Sequence, residues 1–593
     1  MLNTQLILVA FVLVLSVVIV YALSKRQVSA LASLSKKDVK WITLLTVIYA
    51  AMNLINLGDF TNYSRPWVAN QGDMAFTVKL ESQETVGNIY YRTGLAKGTY
   101  LFSVYQQNGQ QLTINDKGAT LGYPNLFKWS KIEVKNQPVG YFVFNANSLP
   151  MEINQLAIVD ESGNLLTNYS VTDAQGHNLD YLRSTSMPSN MDKNLLSSSI
   201  FDEIYYATSA YQYVHGLPAD IWVHPQLSML LIALLVFLFG MNPFVWRFMP
   251  ALCSISMVPV IYIFAKNLFK STKAAVITTI VLIMEFMHLM MGKMADIDNY
   301  VTLFLLLEYM YLYLYYQARL NGESFKQTIR YLLISGIFFG LAISSKWTGF
   351  YSSVAILGLL LYFELFKFRS NITDLLGKIA ISLVCFVVIP LSIYVLVYFP
   401  YAYITSTYSV FELIQRYTMG ILDFNLHSLV DVKSAYASHW WGWPLGLVPI
   451  SLFFWTDPNN SALSQSLAII ANPLVIWCFY PMLIWLSYLS IRKDRVAVFL
   501  LLAIFAQFAP YILVARVSFF YYFYTIIPFL VLAIGYTLYT LLNAKNKYLH
   551  YVVYLYLITC FILLLMFSPL LFGYEVPRAY VTNYLLWFKP WNV

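Results

Sequence analysis

The sequence predicts a polytopic α-helical membrane protein carrying an inserted extracytoplasmic β-sandwich, and three observations carry that prediction. Hydrophobic residues make up 59% of the 593-residue chain and charged residues 11%, with a mean hydropathy of +0.61. A soluble surface needs far more charge than this. Apolar runs long enough to cross a hydrocarbon core of about 30 Å recur along the chain. Between residues 60 and 195 the polarity becomes ordinary, and short alternating runs replace the long apolar ones.

Twelve apolar runs qualify as spans: 5–24, 41–57, 247–266, 272–292, 298–318, 327–344, 349–366, 376–399, 466–491, 496–515, 518–541 and 548–573. The run 225–239 is shorter and reads as a re-entrant or interfacial piece. The first run lacks a preceding Lys or Arg and is followed by Lys25 and Arg26, which fits a retained anchor with its amino terminus outside. Cys253, Cys385, Cys478 and Cys560 all fall within apolar runs at no metal or redox spacing, so they read as small core residues.

Orientation follows from the basic residues, which favour cytoplasmic loops. Lys25, Arg26, Lys36, Lys37 and Lys40 mark one such loop, and Lys266, Lys270 and Lys273 the next. Arg319, Lys326 and Arg330, then Lys367 and Arg369, then Arg492, Lys493 and Arg495, then Lys545 and Lys547 complete the set. Threading the spans through these anchors places 58–246 and both termini outside. Asp202, Glu203, His224, Arg247, Lys293, Asp298, Lys346, the aromatic loop 436–449 and Arg516 then share the external face. Each cation alone reads equally well as a snorkelling interfacial residue. Four of them opposite an acidic pair favour a site, because charge held near lipid is costly. Cations at the lipid boundary suit a phosphate ester on a lipid carrier, and a neighbouring carboxylate suits a general base. The ligand implied is a polyprenyl-phosphate sugar.

The order and spacing of several short motifs then point further. Phe201-Asp202-Glu203 is followed by an aromatic helix, His224-Pro225, Trp246-Arg247-Phe248, the stretch Lys293 to Asp298, and Ser345-Lys346-Trp347-Thr348-Gly349. Tyr436 to Leu445, containing His439-Trp440-Trp441-Gly442-Trp443, and Ala515-Arg516-Val517-Ser518-Phe519-Phe520-Tyr521-Tyr522 follow. This series resembles the protein O-mannosyltransferases, and the last two segments resemble their bacterial branch, among the C-type, lipid-phosphate-dependent glycosyltransferases. Three departures stand out: His224-Pro225-Gln226 where the family has His-Pro-Pro, Lys293 where it has Arg, and Val448-Pro449 where it has Arg-Pro. Lysine keeps the charge but loses the planar fork.

The resemblance implies a C-type glycosyltransferase fold of eleven spans with a cytoplasmic amino terminus, so 5–24 is an added helix. Asp202 is implied as the general base on an acceptor hydroxyl, with Glu203 placing acceptor or sugar in an inverting displacement. Arg247, Lys346 and Arg516 are the candidates for the donor phosphate. His224, Lys293, Asp298, Trp440, Trp441 and Trp443 are candidates for sugar or acceptor binding, the tryptophans otherwise reading as an interfacial belt. Asp296 and Asp298 with Asp202, Glu203 and His224 offer oxygens for a divalent ion. Basic residues alone suffice for a monophosphate leaving group, so no metal or other cofactor is expected. Glu285 and His288 read as a paired structural element.

The domain organisation expected is an extra helix and cytoplasmic loop at 1–40, the first core span at 41–59, the sandwich at 60–195, a catalytic external loop at 196–246, and the remaining transmembrane core at 247–593 with an external loop at 400–465. Thr99–Tyr105, Gly140–Phe144 and Met151–Val159 are the clearest strands, and Asp160-Glu161-Ser162-Gly163 after the last of them is similar to the turn of a galactose-binding-like jelly roll. Its position over the catalytic face suits acceptor recognition.

The function implied is transfer of a hexose, mannose in the family, from a polyprenyl-phosphate carrier to Ser or Thr hydroxyls of exported proteins, at the cell membrane. The partners are that donor, a secreted or membrane protein acceptor and membrane lipid, with no nucleic acid. A lipid or cell-wall polymer acceptor is the alternative within the same chemistry. A transporter or flippase would show internal repeats and charge at mid-membrane, and a receptor built on the sandwich would not need so many spans.

Overall fold

The computed structural model describes residues 34–62, 65–114, 126–185, 195–367, 371–428, 430, 433–457 and 460–591. The apolar run 5–24 lies outside them. Two compact units result: one takes the chain up to Asn56, Gly216–Leu231 and Phe248 onward, and the other takes Leu57–His215 and Ile232–Arg247. Residues 196–215, expected to belong with a separate catalytic loop, therefore group with the strands.

The larger unit is helical. Among the described residues eight helices are long and apolar enough to cross a membrane: Pro243–Phe269, Phe325–Ser345, Trp347–Leu365, Ile372–Ile404, Pro473–Ile491, Arg495–Leu513, Phe520–Leu542 and Lys547–Phe572. Lys36–Leu54 and Asp298–Leu320 are long enough but more polar. The first of these starts at a capping box: Ser35 Oγ accepts from the Asp38 amide at 3.2 Å while the Asp38 carboxylate accepts from the Ser35 amide at 2.9 Å. Helix packing uses small residues. A Cβ on Gly336 would lie 1.9 Å from the Cys385 carbonyl oxygen, and one on Gly340 would lie 2.9 Å from Pro390 Cα, so this Gly-x-x-x-Gly pair lets two backbones touch.

The run 272–292, expected as one span, is instead broken. Helix Thr272–Ile283 stops, and Glu285 caps a second helix, Phe286–Met291, by accepting from the His288 amide at 2.7 Å. Asn472 closes the gap: its amide donates to Glu285 Oε1 at 3.2 Å and its side chain donates to the Met284 carbonyl at 2.9 Å. The carboxylate and amide satisfy backbone groups that a continuous helix would have satisfied itself.

The loop 400–465 contains two elements the sequence reading did not anticipate. Ser409 caps an amphipathic helix, Val410–Asp423, that runs into a π-helical turn, Phe424–Ser428. Strands Ile450–Thr456 and Leu463–Ile469 then form a hairpin that pairs with Glu575–Pro577.

The smaller unit holds an antiparallel sheet of eight strands: β1 (Trp67–Val68), β2 (Ala75–Thr93), β3 (Tyr100–Tyr105), β4 (Gln111–Leu112), β5 (Trp129–Ala146), β6 (Glu152–Asp160), β7 (Leu165–Leu166) and β8 (Tyr169–Asp173). The first half of β2 pairs with β8 and its second half with β6, while β5 runs along both halves. Register shifts between Lys79 and Glu84 and between Val86 and Asn88 mark where the long strands turn from one set of partners to the other. Phe76, Val78, Phe102, Phe142 and Phe144 alternate inward and are buried, with Phe76 and Phe144 stacked at 4.9 Å.

The ends of this insert meet at a neck. The Asp59 amide donates to the Leu196 carbonyl at 2.8 Å, and the Phe244 amide donates to the Asp59 carbonyl at 3.1 Å.

Candidate active site

In the smaller unit, Phe201 has φ +49, a left-handed conformation that is unusual for a bulky residue and tends to collect at functional positions. It turns the chain so that Asp202 precedes helix Glu203–Val214 without capping it. Glu203 is fully buried. Its Oε1 accepts from Arg247 Nε at 2.6 Å, and its Oε2 accepts from Arg247 Nη2 at 2.7 Å and from the Ile200 amide at 2.9 Å. Arg247 also donates from Nη1 to the Leu57 and Leu195 carbonyls at 2.9 and 3.0 Å, and from Nη2 to the Ser198 carbonyl at 2.8 Å.

An Arg carries five N–H donors, and here all five are taken. Arg247, expected on the donor phosphate, is therefore corrected to an internal staple that ties the neck of the insert to the Asp202 turn. Glu203, expected to place sugar or acceptor, is its counter-ion. On the same helix, Tyr211 donates to Glu152 of β6 at 3.0 Å, and the Leu95 amide donates to the same carboxylate oxygen at 2.8 Å. Burial nevertheless pushes the Glu152 carboxyl up to about 7.

The larger unit brings together another group. Lys346 ends helix Phe325–Ser345 and donates to both carboxylate oxygens of Asp298 at 2.8 and 2.7 Å, with the Tyr521 and Tyr522 rings 5.6 and 5.0 Å from its ammonium. Asp298 opens its own helix, and Asp296 accepts from its amide at 2.6 Å. The expected phosphate ligand and the expected sugar ligand thus form a buried ion pair with each other. Lys293 caps the end of helix Lys36–Leu54, donating to the Asn53 carbonyl at 3.1 Å and to the Ile55 carbonyl. A cation over exposed carbonyls at a helix carboxyl end is favourable, and a compact ammonium serves it without a fork. Lys293 is corrected to this structural role.

Arg516 differs from Arg247 and Lys346, which meet carboxylates. It is half-buried, its Nε donates to Asn425 Oδ1 at 3.1 Å and its Nη1 donates to the Tyr522 hydroxyl at 3.0 Å. Both acceptors are neutral, and no carboxylate among the described residues pairs with it. Its guanidinium lies 5.4 Å from the Phe424 ring, whose other neighbour is His224 at 6.3 Å, edge to face. Burial holds the His224 imidazole well below its ordinary value, and the charges of Lys346 and Arg516 push the same way. His224 is thus neutral beside two cations. Gln226, the departure from His-Pro-Pro, donates to the His224 carbonyl at 3.0 Å.

Beside Arg516 lies a cavity of about 260 Å³ lined by Ser438, His439, Trp440 and Ser518 among others. Trp441 is 49% exposed, whereas Trp443 is 1% exposed, its indole N–H donating to Ser438 Oγ at 3.1 Å. Trp443, expected to stack on sugar or acceptor, is corrected to a core residue under the loop. The loop backbone is held from outside by Tyr480 donating to the Trp441 carbonyl at 2.6 Å, Trp477 to the Leu445 carbonyl at 3.0 Å and Trp591 to the Gly446 carbonyl at 2.9 Å. Among the described residues no three His, Cys, Asp or Glu side chains gather as metal ligands do. Asn425, Phe424 and the Tyr480 and Trp591 clamps were not singled out from the sequence, where they stand outside every motif.

A model of the dolichyl-phosphate-mannose-protein mannosyltransferase family matches residues 237–404. The polyprenol-phosphate-mannose–protein mannosyltransferases of Corynebacterium glutamicum and Mycolicibacterium smegmatis are 25% and 24% identical to the chain, each alignment covering 66% of it and 88% and 87% of those proteins. Over these stretches the chain is similar to the protein O-mannosyltransferases. The S. cerevisiae protein O-mannosyltransferase Pmt1-Pmt2 complex bound to the sugar donor superposes with a TM-score of 0.58 at 12% identity, over 67% of this chain and 89% of that one. That likeness establishes the C-type glycosyltransferase fold. With these relatives and its long apolar helices, the chain is a multi-pass membrane glycosyltransferase.

Proposed function

We propose that the chain transfers mannose from a polyprenyl-phosphate carrier to Ser or Thr hydroxyls of exported proteins, with inversion, on the extracytoplasmic face. The acceptor oxygen attacks the anomeric carbon, its proton passes to the Asp202 carboxylate, and the bond from that carbon to the phosphate oxygen breaks. The carrier leaves as polyprenyl phosphate, and the charge that develops on it falls to Arg516. The single observation that carries this reading is the state of Arg516: an oriented guanidinium with neutral partners and a cavity beside it. An Arg whose remaining edge is uncommitted suits bidentate binding of phosphate.

The remaining assignments follow from this reading. Lys346 and Asp298 fix the Tyr521 and Tyr522 wall behind Arg516. Trp440 and His439 bound the space for sugar, and the half-exposed Trp441 serves acceptor. An apolar groove of about 710 Å³ lined by Phe339, Ile343, Phe350, Leu357 and Phe386 has the chemistry a polyprenyl chain requires. The insert at 60–195, read as a jelly roll, serves acceptor recognition, and the chain crosses the membrane twelve times with its amino terminus outside. The reaction needs no metal ion.

The test is transfer of radiolabelled sugar from polyprenyl-phosphate mannose and polyprenyl-phosphate glucose to native membranes, by wild type and by Asp202→Asn. Asp202-dependent label in protein from the mannose donor is the expected result. Label in lipid or polymer would move the acceptor, and no label from either donor would overturn the reading.

A further inference from the structure

Arg516 is aimed by residues that no motif contains. Asn425 accepts from its Nε at 3.1 Å, and the Asn425 side-chain amide is itself fixed, donating to the Ile421 carbonyl at 2.7 Å. With the NH₂ group committed to that carbonyl, the amide oxygen can only face the guanidinium. Phe424 lies 5.4 Å from the guanidinium and meets His224 at 6.3 Å. Both residues open the π-helical turn Phe424–Ser428, the kind of local insertion that re-aims side chains and recurs at functional sites.

The turn has a rigid mount. Helix Val410–Asp423 buries Leu413, Tyr417 and Ile421, and its Arg416 guanidinium sits 3.5 Å over the Trp222 ring. A Cβ on Gly420 would come within 3.0 Å of the Trp222 carbonyl oxygen, so the helix lies directly on that segment. Among its exposed residues, Phe411 and Met419 are 79% and 60% exposed beside the polar Glu412 and Gln415, an amphipathic mix of the kind found in helices at a membrane interface.

We propose that Asn425, with Phe424, is a positioning residue for the lipid-linked sugar phosphate: it holds the Arg516 guanidinium so that the remaining edge meets the phosphate. The proposal rests on Arg516 binding that phosphate. A neutral acceptor suits the task, because a carboxylate at 425 would neutralise the guanidinium and compete with the ligand.

The experiment measures kcat and KM for polyprenyl-phosphate mannose at saturating acceptor peptide, and KM for the peptide, in wild type, Asn425→Ala, Asn425→Asp, Phe424→Leu, Arg516→Ala and the double variant Asn425→Ala with Arg516→Ala. Asn425→Ala is expected to raise donor KM about fivefold to tenfold with peptide KM and thermal midpoint unchanged. Asn425→Asp is expected to raise it further, Phe424→Leu less, and Asn425→Ala to add nothing once Arg516 is gone. An unchanged donor KM in Asn425→Ala, while Arg516→Ala raises it, overturns the positioning role alone. So does an equal rise in both KM values with a lowered midpoint, which marks a structural residue. An unchanged donor KM in Arg516→Ala overturns the phosphate assignment and this proposal with it.

Discussion

Arg247 and Arg516 are both arginines at motif positions, both expected on the same phosphate, and the fold treats them in opposite ways. Arg247 is 1% exposed and meets a carboxylate and three carbonyls with every N–H it has. Arg516 meets one amide oxygen and one phenol. Between these two arginines the difference lies in the charge and number of their partners, which fixes how much of each field remains for an anion. Glu203 is spent on Arg247, and Asp202, one residue earlier, follows the left-handed Phe201 and does not cap its helix.

Four further experiments test whether the two arginines differ as described. The largest effect is expected from Asp202→Asn, which should lower kcat by about 10²- to 10⁴-fold, the usual weight of a general base, with the thermal midpoint in detergent unchanged. Glu203→Gln should do the reverse in kind, leaving Arg247 buried without a counter-charge at a cost of about 3–5 kcal/mol. That loss would be read as a lowered midpoint and reduced yield of folded protein, with Arg516→Ala as the contrast, staying within about 0.5 kcal/mol of wild type. If both arginine sites prove equally structural, the comparison fails.

A smaller effect attaches to Glu152. Burial lifts its folded carboxyl to about 7, above the ordinary glutamate value of 4.5, so the folded state binds the proton more tightly than the unfolded chain. The stability it contributes is full below about 4.5 and is lost as pH rises through about 7. Thermal midpoints measured between pH 5 and 8 should fall with pH more steeply in wild type than in Glu152→Gln, whose amide oxygen can still accept from Tyr211 and Leu95. The smallest effect is expected from chelation: transfer should be unchanged after exhaustive EDTA treatment, because the leaving-group charge falls to a guanidinium. A loss restored by a divalent ion would return Asp296 and Asp298 to consideration as ligands.

Much of the architecture was legible in the sequence because it rests on periodicity and hydropathy. Thr99–Tyr105 and Met151–Val159 differ by a residue from β3 and β6, and most of the long helices follow the apolar runs. The broken run 272–292 was not legible, since Asn472, which closes the break, lies far away in sequence and apolar content is the same on both sides. The site was half legible. Motif order located the cations, but their partners are carbonyls and amides brought together by the fold: Leu57, Leu195 and Ser198 for Arg247, and Asn53 and Ile55 for Lys293. A carbonyl acceptor leaves no mark on residue type. For the same reason Trp443 looked like its exposed neighbour Trp441, and Asn425 looked like nothing at all.

The neck at Arg247 has a practical corollary for protein engineering. One guanidinium gathers Leu57, Leu195 and Ser198, and Asp59 pairs with Leu196 beside it, so the two ends of the insert are held in register by groups outside the sheet. Closing a long excursion at its base makes the entropy of whatever lies beyond nearly independent of its length. The sheet also reaches the Asp202 turn directly, since the Ser199 hydroxyl donates to the Leu126 carbonyl at 2.7 Å and Tyr211 donates to Glu152 at 3.0 Å, so a linker that replaced the sheet would have to leave the turn to the Arg247 staple alone.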